Sequence, residues 1–486
     1  MKRHGKINRF RLLLSCAAAS AVFAFAGCAA VGPNYTRPEV SVHDSWNNKL
    51  GGSETASIAE RQVLAGWWKA LNDPQLDGLI DRAVKGNLDV KQAKARVREA
   101  RAGRGISQAS LYPTLDAQAS ATKSQYATTS GPNETNTQYL ASFDAGWEID
   151  LFGGVRRSVE ASTADLQAQE EDLRDVLVSL LAEVALNYVD VRTYQARLAV
   201  TEANIESQTK THQLTVWRNE AGLSDSLAVE QARYDLENTR AQVPSLQTGL
   251  EGAMNRIAIV LGEQPGAVHA ELAQRRPIPV APADIYVGVP ADVLLRRPDV
   301  RKAERQLAAQ TARIGVATAE RYPKINLSAS TGLGALTLGN LFSSGNGTSS
   351  GSAVISLPVF RGGSIRKNIE VQSALQEQYL YAYESAVNGA LEEVENALTA
   401  FAKEEERRRS LDDAARAAKN ASDLVLREYQ AGLTDFSNVL ITQRSLLTVQ
   451  DQLAGTEGAV TADLIRLYKA LGGGWTDLGR EHQQNS

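Results

Sequence analysis

The chain has 486 residues, 22% of them charged and 6% aromatic, and a formal net charge of −4. That is more than one compact core holds, and the mix suits long helices better than an ordinary globular enzyme. Five His and two Cys argue against a dedicated metal or thiol site, and the acidic balance argues against a nucleic-acid partner.

Lys2, Arg3, Lys6, Arg9 and Arg11 form a basic n-region, followed by an apolar stretch, Leu12 to Phe25, too short to span a bilayer comfortably. Residues 1–27 read as a signal peptide. "FAGC" before Cys28 resembles a bacterial lipobox, with Phe25 where that pattern prefers Leu. Cys28 is the expected lipidation site and new N-terminus; the plainer alternative is a cleaved signal with an incidental Cys. Ala29 follows it rather than Asp, which by resemblance to lipoprotein sorting rules favours the outer membrane. Processing leaves 47 basic against 56 acidic residues. No other stretch reads as a membrane-spanning helix.

After residue 85 the chain is written twice. "LYPTLDAQASA" from Leu111 matches "RYPKINLSAST" from Arg321, and "LFGG" at Leu151–Gly154 matches "FRGG" at Phe360–Gly363. "AGLSD" from Ala221 matches "AGLTD" from Ala431, and Leu261–Gly262 matches Leu471–Gly472, all at an offset of 209 or 210. The repeats span residues 86–262 and 297–472. Residues 28–85, 263–296 and 473–486 lie outside them.

Each repeat opens with a helix, Asn87–Ser110 and Val300–Glu320, which Tyr-Pro ends. A β-hairpin follows, 112–151 and 323–361. In "YLASFDAGWEIDL" the residues Tyr139, Ala141, Phe143, Ala145, Trp147, Ile149 and Leu151 alternate with polar ones, period two. The fainter strands are Leu115–Ala121, Ile325–Ala329 and Ala353–Val359, separated by Gly/Ser/Thr-rich loops at Lys123–Gln138 and Gly332–Gly351. A small sheet packed on helices fits this pattern. A transmembrane barrel fits better, because Asp144, Glu148 and Asp150 on the polar face suit a wet lumen. Four strands cannot close a barrel, so two, three or four chains would share one.

Long helices come next, 155–219 and 365–430. Leu166, Leu173, Leu177, Leu180, Val184, Tyr188, Val191, Leu198 and Ile205 keep coiled-coil spacing. Each helix is roughly 100 Å long at 1.5 Å per residue. An Ala-Gly-Leu turn ends it, and a return helix runs through 223–262 or 433–472. Gly222 and Gly432 are expected as left-handed C-cap glycines, with Ser224 and Thr434 capping the next helix. Leu223 and Leu433 would be exposed at the turns and suit a docking surface.

The order of motifs identifies a resemblance. "CAAVGPNYTRPEV" from Cys28, "WWKALNDPQLDGLI" from Trp67, "RRPDVRKAERQL" from Arg296, both Ala-Gly-Leu turns and the terminal "GGGW" are similar to the TolC-type outer-membrane efflux factors, specifically the NodT-like lipoprotein branch. The resemblance implies an all-α dominated α+β fold and a homotrimer. Three chains would close a 12-stranded transmembrane β-barrel continued by a periplasmic α-barrel, with an equatorial belt made from the segments outside the repeats. It implies a passive exit duct of a tripartite efflux pump in the outer membrane, conducting drugs or other toxic compounds. Its partners would be a periplasmic adaptor at Gly222, Leu223, Ser224, Gly432, Leu433 and Thr434, and an inner-membrane pump of the resistance-nodulation-division type. Lipid would meet Cys28 and the barrel.

Relatives gate the pore with a Tyr before the second turn and two Asp residues after it. Tyr429 matches the Tyr, whereas the Asp positions fall on Asn438 and Ile441; Asp435 lies nearer the turn. An acidic ring is therefore not expected at those positions, though Asp435 could substitute; closure by packing and neutral hydrogen bonds is expected, with Ile441 a candidate hydrophobic constriction. No catalytic constellation or phosphate loop is present, so no enzyme, cofactor or metal is expected. An exit channel for protein or peptide secretion shares the fold. A periplasmic adaptor or a structural coiled-coil lipoprotein would lack the duplicated strand pairs.

Overall fold

The computed structural model describes residues 30–40, 42, 43, 45–47, 64–126, 134–280, 293, 294 and 296–475. Cys28, the signal peptide and most of the C-terminal tail lie outside these residues. The chain forms two compact units. The first combines Met1–Glu39, Arg96–Glu170 and Lys302–Glu384; the second combines Val40–Ala95, Glu171–Arg301 and Ser385–Ser486.

Among the described residues the order is a 3-10 turn (Trp67–Leu71), α1 (Pro74–Gly86), α2 (Leu88–Ala109), β1 (Thr114–Tyr126), β2 (Glu134–Ile149), α3 (Gly154–Glu220), α4 (Ser226–Arg240), α5 (Gln242–Val260) and a short α6 (His269–Leu272). Then come α7 (Pro298–Ala319), β3 (Lys324–Ala335), a second 3-10 turn, β4 (Gly347–Ser356), α8 (Ser364–Gln430) and α9 (Phe436–Ala470). No helix among these residues is long and apolar enough to cross a membrane.

The duplication is uniform at 210 residues. Helices α2 and α7 keep that offset at both ends, as do α3 and α8. In the hairpins Thr114 faces Gly146, and Lys324 faces Ser356. This corrects the spelling-based match of "LFGG" with "FRGG". The left-handed glycine before each long helix is Gly153 (φ 81°) in one copy and Gly363 (φ 84°) in the other, so Phe152 corresponds to Gly362.

The first unit holds an antiparallel sheet in the order β1-β2-β3-β4. Its strands run further into the Ser/Thr/Gly-rich segments than their composition suggests, with Lys123–Tyr126, Gly332–Ala335 and Gly347–Gly351 all on ladders. Ladder hydrogen bonds use the backbone, so small polar side chains do not end a strand. Gly332 is also required sterically, since a Cβ there would lie 2.2 Å from the Ala141 carbonyl oxygen. Leu357 and Val359, expected on the fourth strand, lie beyond its end at Ser356, because Lys324 is the last β3 residue available opposite it.

Asp150 starts α3 by accepting from the backbone N–H groups of Val155 (3.2 Å) and Arg156 (2.9 Å). Arg157, in the first turn of α3, is buried. Its buried guanidinium donates to the carbonyls of Val31 (3.0 Å) and Gly32 (3.2 Å) and to Asn34 Oδ1 (2.7 Å), fixing the segment that follows Cys28. Tyr35 continues the strap by donating to Glu304 at 3.1 Å.

In the second unit Asp73 caps α1, with Pro74 at the first helical position. Leu76, Leu79 and Ile80 are buried in a core with Trp67, Tyr468 and the Leu177–Val191 stretch of α3. Trp67 stacks on Tyr468 with ring centroids 5.5 Å apart. The first return helix is two helices rather than one, divided at Ala241. Pro244 explains this: it lacks the N–H for a bond to Arg240 and crowds that carbonyl. Its repeat counterpart is Ala454, and α9 runs unbroken.

Each repeat fastens its return helix to the start of its first helix. Asn87 donates to the Val260 carbonyl (2.8 Å) and accepts from Val90 N–H (3.0 Å). At the equivalent place Arg297 donates to the Ala470 carbonyl (2.9 Å). Left-handed Gly262 (φ 77°) closes the first junction, where a Cβ would sit 2.4 Å from the Gly86 oxygen. Left-handed Gly222 has open space around it. Gly222→Ala is therefore expected to cost about 1 kcal/mol from backbone strain alone. Gly262→Ala adds a steric clash and should cost about 3 kcal/mol or more. Thermal unfolding of the purified protein measures the difference; equal effects would contradict the junction's geometry.

Candidate functional site

The sheet sorts most side chains by face. Pairing places Leu115, Ala145, Ala329 and Gly351 in one cross-strand row, and Ala117, Phe143, Thr331 and Ser349 in the next. Trp147, Leu327 and Ala353, then Ile149, Ile325 and Ile355, extend the same face. The opposite face carries Asp116, Asp144, Ser330 and Ser350 in one row. Ser142 donates to Asp144 at 2.9 Å. Leu115, Phe143, Trp147 and Ile355 are exposed although apolar. A sheet with one exposed apolar face and one polar face suits lipid on one side and water on the other.

The long helix α3 changes character along its length. Leu177 to Leu198 are buried as the coiled-coil spacing predicts, but Ile205 is only half-buried. Beyond Leu198 the buried positions are Thr201, Asn204, Gln208, Thr211 and Thr215, still at heptad spacing. They meet polar partners on α9: Asn204 donates to Gln450 (3.0 Å), and Gln443 donates to Thr211 (2.9 Å). Arg197 adds a two-pronged bond to Asp451 at 2.7 and 2.9 Å, which holds its guanidinium above its ordinary pKa. The α4–α9 contact carries a similar pair. Asp235, its side chain 7% exposed, accepts twice from Arg444 Nε at 2.9 Å and pairs with the guanidinium at 2.7 Å. This bond likewise raises the Arg444 pKa, against a smaller opposing effect of burial.

Both Ala-Gly-Leu turns close as Schellman motifs. Leu223 N–H donates to Arg218 O (2.7 Å) and Leu433 N–H to Glu428 O (2.9 Å), with Gly222 and Gly432 left-handed. The caps differ from expectation. Asp225, not Ser224, caps α4 by accepting from Ala228 N–H (3.0 Å), and Asp435, not Thr434, holds the N-cap position of α9. Asp is favoured there because its carboxylate also complements the helix dipole. Ser224 offers its carbonyl to Asn219, and Thr434 accepts from Asn438 at 2.9 Å. Leu223 and Leu433 are exposed, at 69% and 79%.

Of the expected gate residues, Asn438 and Ile441 are exposed one turn apart on α9, and Asp435 sits at its start. Tyr429 is different: it is 4% exposed, inside the chain. Its ring packs on Phe436 (5.3 Å) beneath the Arg218 guanidinium (4.7 Å). Ala228 and Ala232 on α4 are small enough to leave room for it. Arg218 also donates to the Tyr429 carbonyl at 3.3 Å, which sequence patterns did not reveal.

Residues 79–263 and again 289–473 match the outer membrane efflux protein family, each boundary offset by the same 210 residues as the structural repeat. The chain belongs to that family. Membership of this family makes the chain an outer-membrane efflux protein. It is 31% identical over 470 residues to a probable efflux pump outer membrane protein, TtgC, of Pseudomonas putida, covering 96% of each chain. It is 32% identical over 460 residues to nodulation protein T of Rhizobium leguminosarum bv. trifolii, covering 93% of this chain and 96% of that one. Among solved structures, the outer-membrane channel OprN matches with a TM-score of 0.85 and 34% identity, covering 92% and 100%. The open state of the Neisseria gonorrhoeae MtrE channel matches at 0.80 and 28%, covering 92% and 99%. This efflux protein therefore shares their channel fold.

Proposed function

We propose that three copies of this chain form one passive duct, docked to a periplasmic adaptor and served by an inner-membrane pump of the resistance-nodulation-division type. One observation carries the reading: a four-stranded sheet with an apolar face and two edges unpaired among the described residues. Open edges are too costly in hydrocarbon, so copies must pair edge to edge, and three give twelve strands. The names of relatives point to small molecules. One is a toluene efflux pump protein, another an antibiotic efflux pump protein, and a third exports pyoverdine. Cargoes so unlike suit a conduit without a dedicated binding pocket, and we assign this chain the export of small toxic compounds. Lipidation at Cys28 would add a second hold on the membrane.

Leu223 and Leu433 are the proposed adaptor contacts, since apolar side chains this exposed at fixed turns suit docking. Leu223→Asp with Leu433→Asp should leave the amount in the outer membrane unchanged and abolish efflux. Undiminished efflux would remove the docking role.

Closure is assigned to Asn438 and Ile441, without acidic groups at those positions. Trivalent cations should accordingly block the channel weakly. Asn438→Asp with Ile441→Asp brings six carboxylates together in three copies and should strengthen block at least about tenfold in planar bilayers. Both are read on a channel opened by Arg444→Ala; tight block with Asn438 and Ile441 intact would contradict this assignment.

A further inference from the structure

The sheet contains a template for its own closure. Within the sheet the two repeats meet along β2 and β3, where Gly146 faces Ser328 and Ile149 faces Ile325. Adding 210 to the β2 residue and subtracting 210 from the β3 residue turns Gly146–Ser328 into Ser356–Gln118. One of these lies on β4 and the other on β1, the two strands with an edge unpaired within the chain. We propose that β4 pairs antiparallel with β1 of a second copy in this register, Ser356 opposite the second copy's Gln118. The register rests on the three-copy reading above and goes beyond it by fixing which residues meet.

Two observations support this register, and its constant strand advance follows from the repeat offset. Side chains stay on their proper faces: Ile355 meets Ala119, Leu357 meets Ala117 and Val359 meets Leu115, while Ser352 meets Thr122. A slip of one residue would set Ile355, Leu357 and Val359 against polar residues, Gln118 and Asp116 among them. Strand tilt also stays constant. From Leu115 the ladder crosses Ala145 to Ala329, four residues past Ile325, the repeat counterpart of Leu115. From Ile325 it crosses Ile355 and, in the proposed register, reaches Ala119, again four past Leu115. Equal advance at every repeat is what a closed barrel with one strand tilt requires. Finally, Leu357 and Val359 acquire partners. They continue the strand pattern of β4 but have no strand partner among the described residues, and both are exposed.

Engineered cysteines test the register in the full chain. The sequence contains only Cys16 and Cys28, one within the expected signal peptide and one at the expected lipid site. Gln118→Cys with Ser356→Cys would place two thiols directly opposite, within disulfide reach. Asp116→Cys or Ser120→Cys with Ser356→Cys would set them diagonally at roughly 7–8 Å, beyond it. Mild oxidation in outer-membrane vesicles should link the first pair between chains at least about tenfold more than the other two. Dominant linkage in either diagonal pair overturns the register and leaves the shared barrel standing. No linkage in any pair, with the protein still migrating as a native trimer, also overturns it. Monomeric protein before oxidation overturns the shared barrel itself.

Discussion

Breaking the Asp235–Arg444 pair should open the channel. Purified wild-type protein in a planar bilayer is expected to be nearly silent, and Arg444→Ala to conduct in stable steps. The bond joins α4 of the first repeat to α9 of the second, and Asp235 is the buried member. Without Arg444 its carboxylate stays out of water with no compensating charge, which favours any arrangement that lets it hydrate. Arg444 is half exposed, so the effect is discounted to about 1–2 kcal/mol per chain. Three copies acting together would shift the closed–open balance at least about a hundredfold. Asp235→Ala removes the buried charge as well as the link, so its conductance should rise less. A folded Arg444→Ala protein as silent as wild type would show that this pair does not hold the closed state.

Arg297→Ala should destabilise the second unit more than the counterpart change in the first repeat, Asn87→Ala. The side chain is 8% exposed and bonds Asp299 through Nε (3.0 Å) and a terminal nitrogen (2.6 Å), Glu393 at 2.7 Å and the Ala470 carbonyl at 2.9 Å. Burial alone would lower the pKa of this guanidinium; the bonds to Asp299 and Glu393 outweigh it and hold the pKa above its ordinary value. Truncation leaves the Ala470 carbonyl without this donor and removes both ion pairs, but Asp299 and Glu393 are 34% and 62% exposed and keep water, so the loss is discounted to about 2–3 kcal/mol. The counterpart change, Asn87→Ala, removes a neutral cap and one carbonyl bond, for about 1–2 kcal/mol. Thermal unfolding should rank Arg297→Ala below Asn87→Ala. The reverse order would mean that the ion pairs contribute little at this junction.

What could be read directly from the sequence was periodic. The 210-residue duplication, the period-two face of β2, the long helices and the left-handed glycines all depend on local spacing, which the chain spells out. What could not be read was polar and buried. Thr201, Asn204, Gln208, Thr211 and Thr215 look like solvent-facing residues until α9 supplies Gln443 and Gln450. Arg157 looks like the first turn of a surface helix, yet it grips a segment more than 120 residues earlier. Its counterpart Lys367 is exposed and pairs only locally with Glu370 among its described contacts, so repeat symmetry gave no hint. Tyr429 was expected at the pore by family pattern, but the space left by Ala228 and Ala232 decides its position. Pro244 did carry a readable signal for the break in the return helix, hidden by continuous apolar spacing around it.

The central claim is that one barrel is closed by three chains in the outer membrane. Mass measurement of the intact complex, extracted from an isolated outer-membrane fraction in mild detergent, tests it most directly. Three chains per particle, falling to single chains only when the strands unfold, is the predicted result; particles of one or two chains with intact β-structure would contradict it.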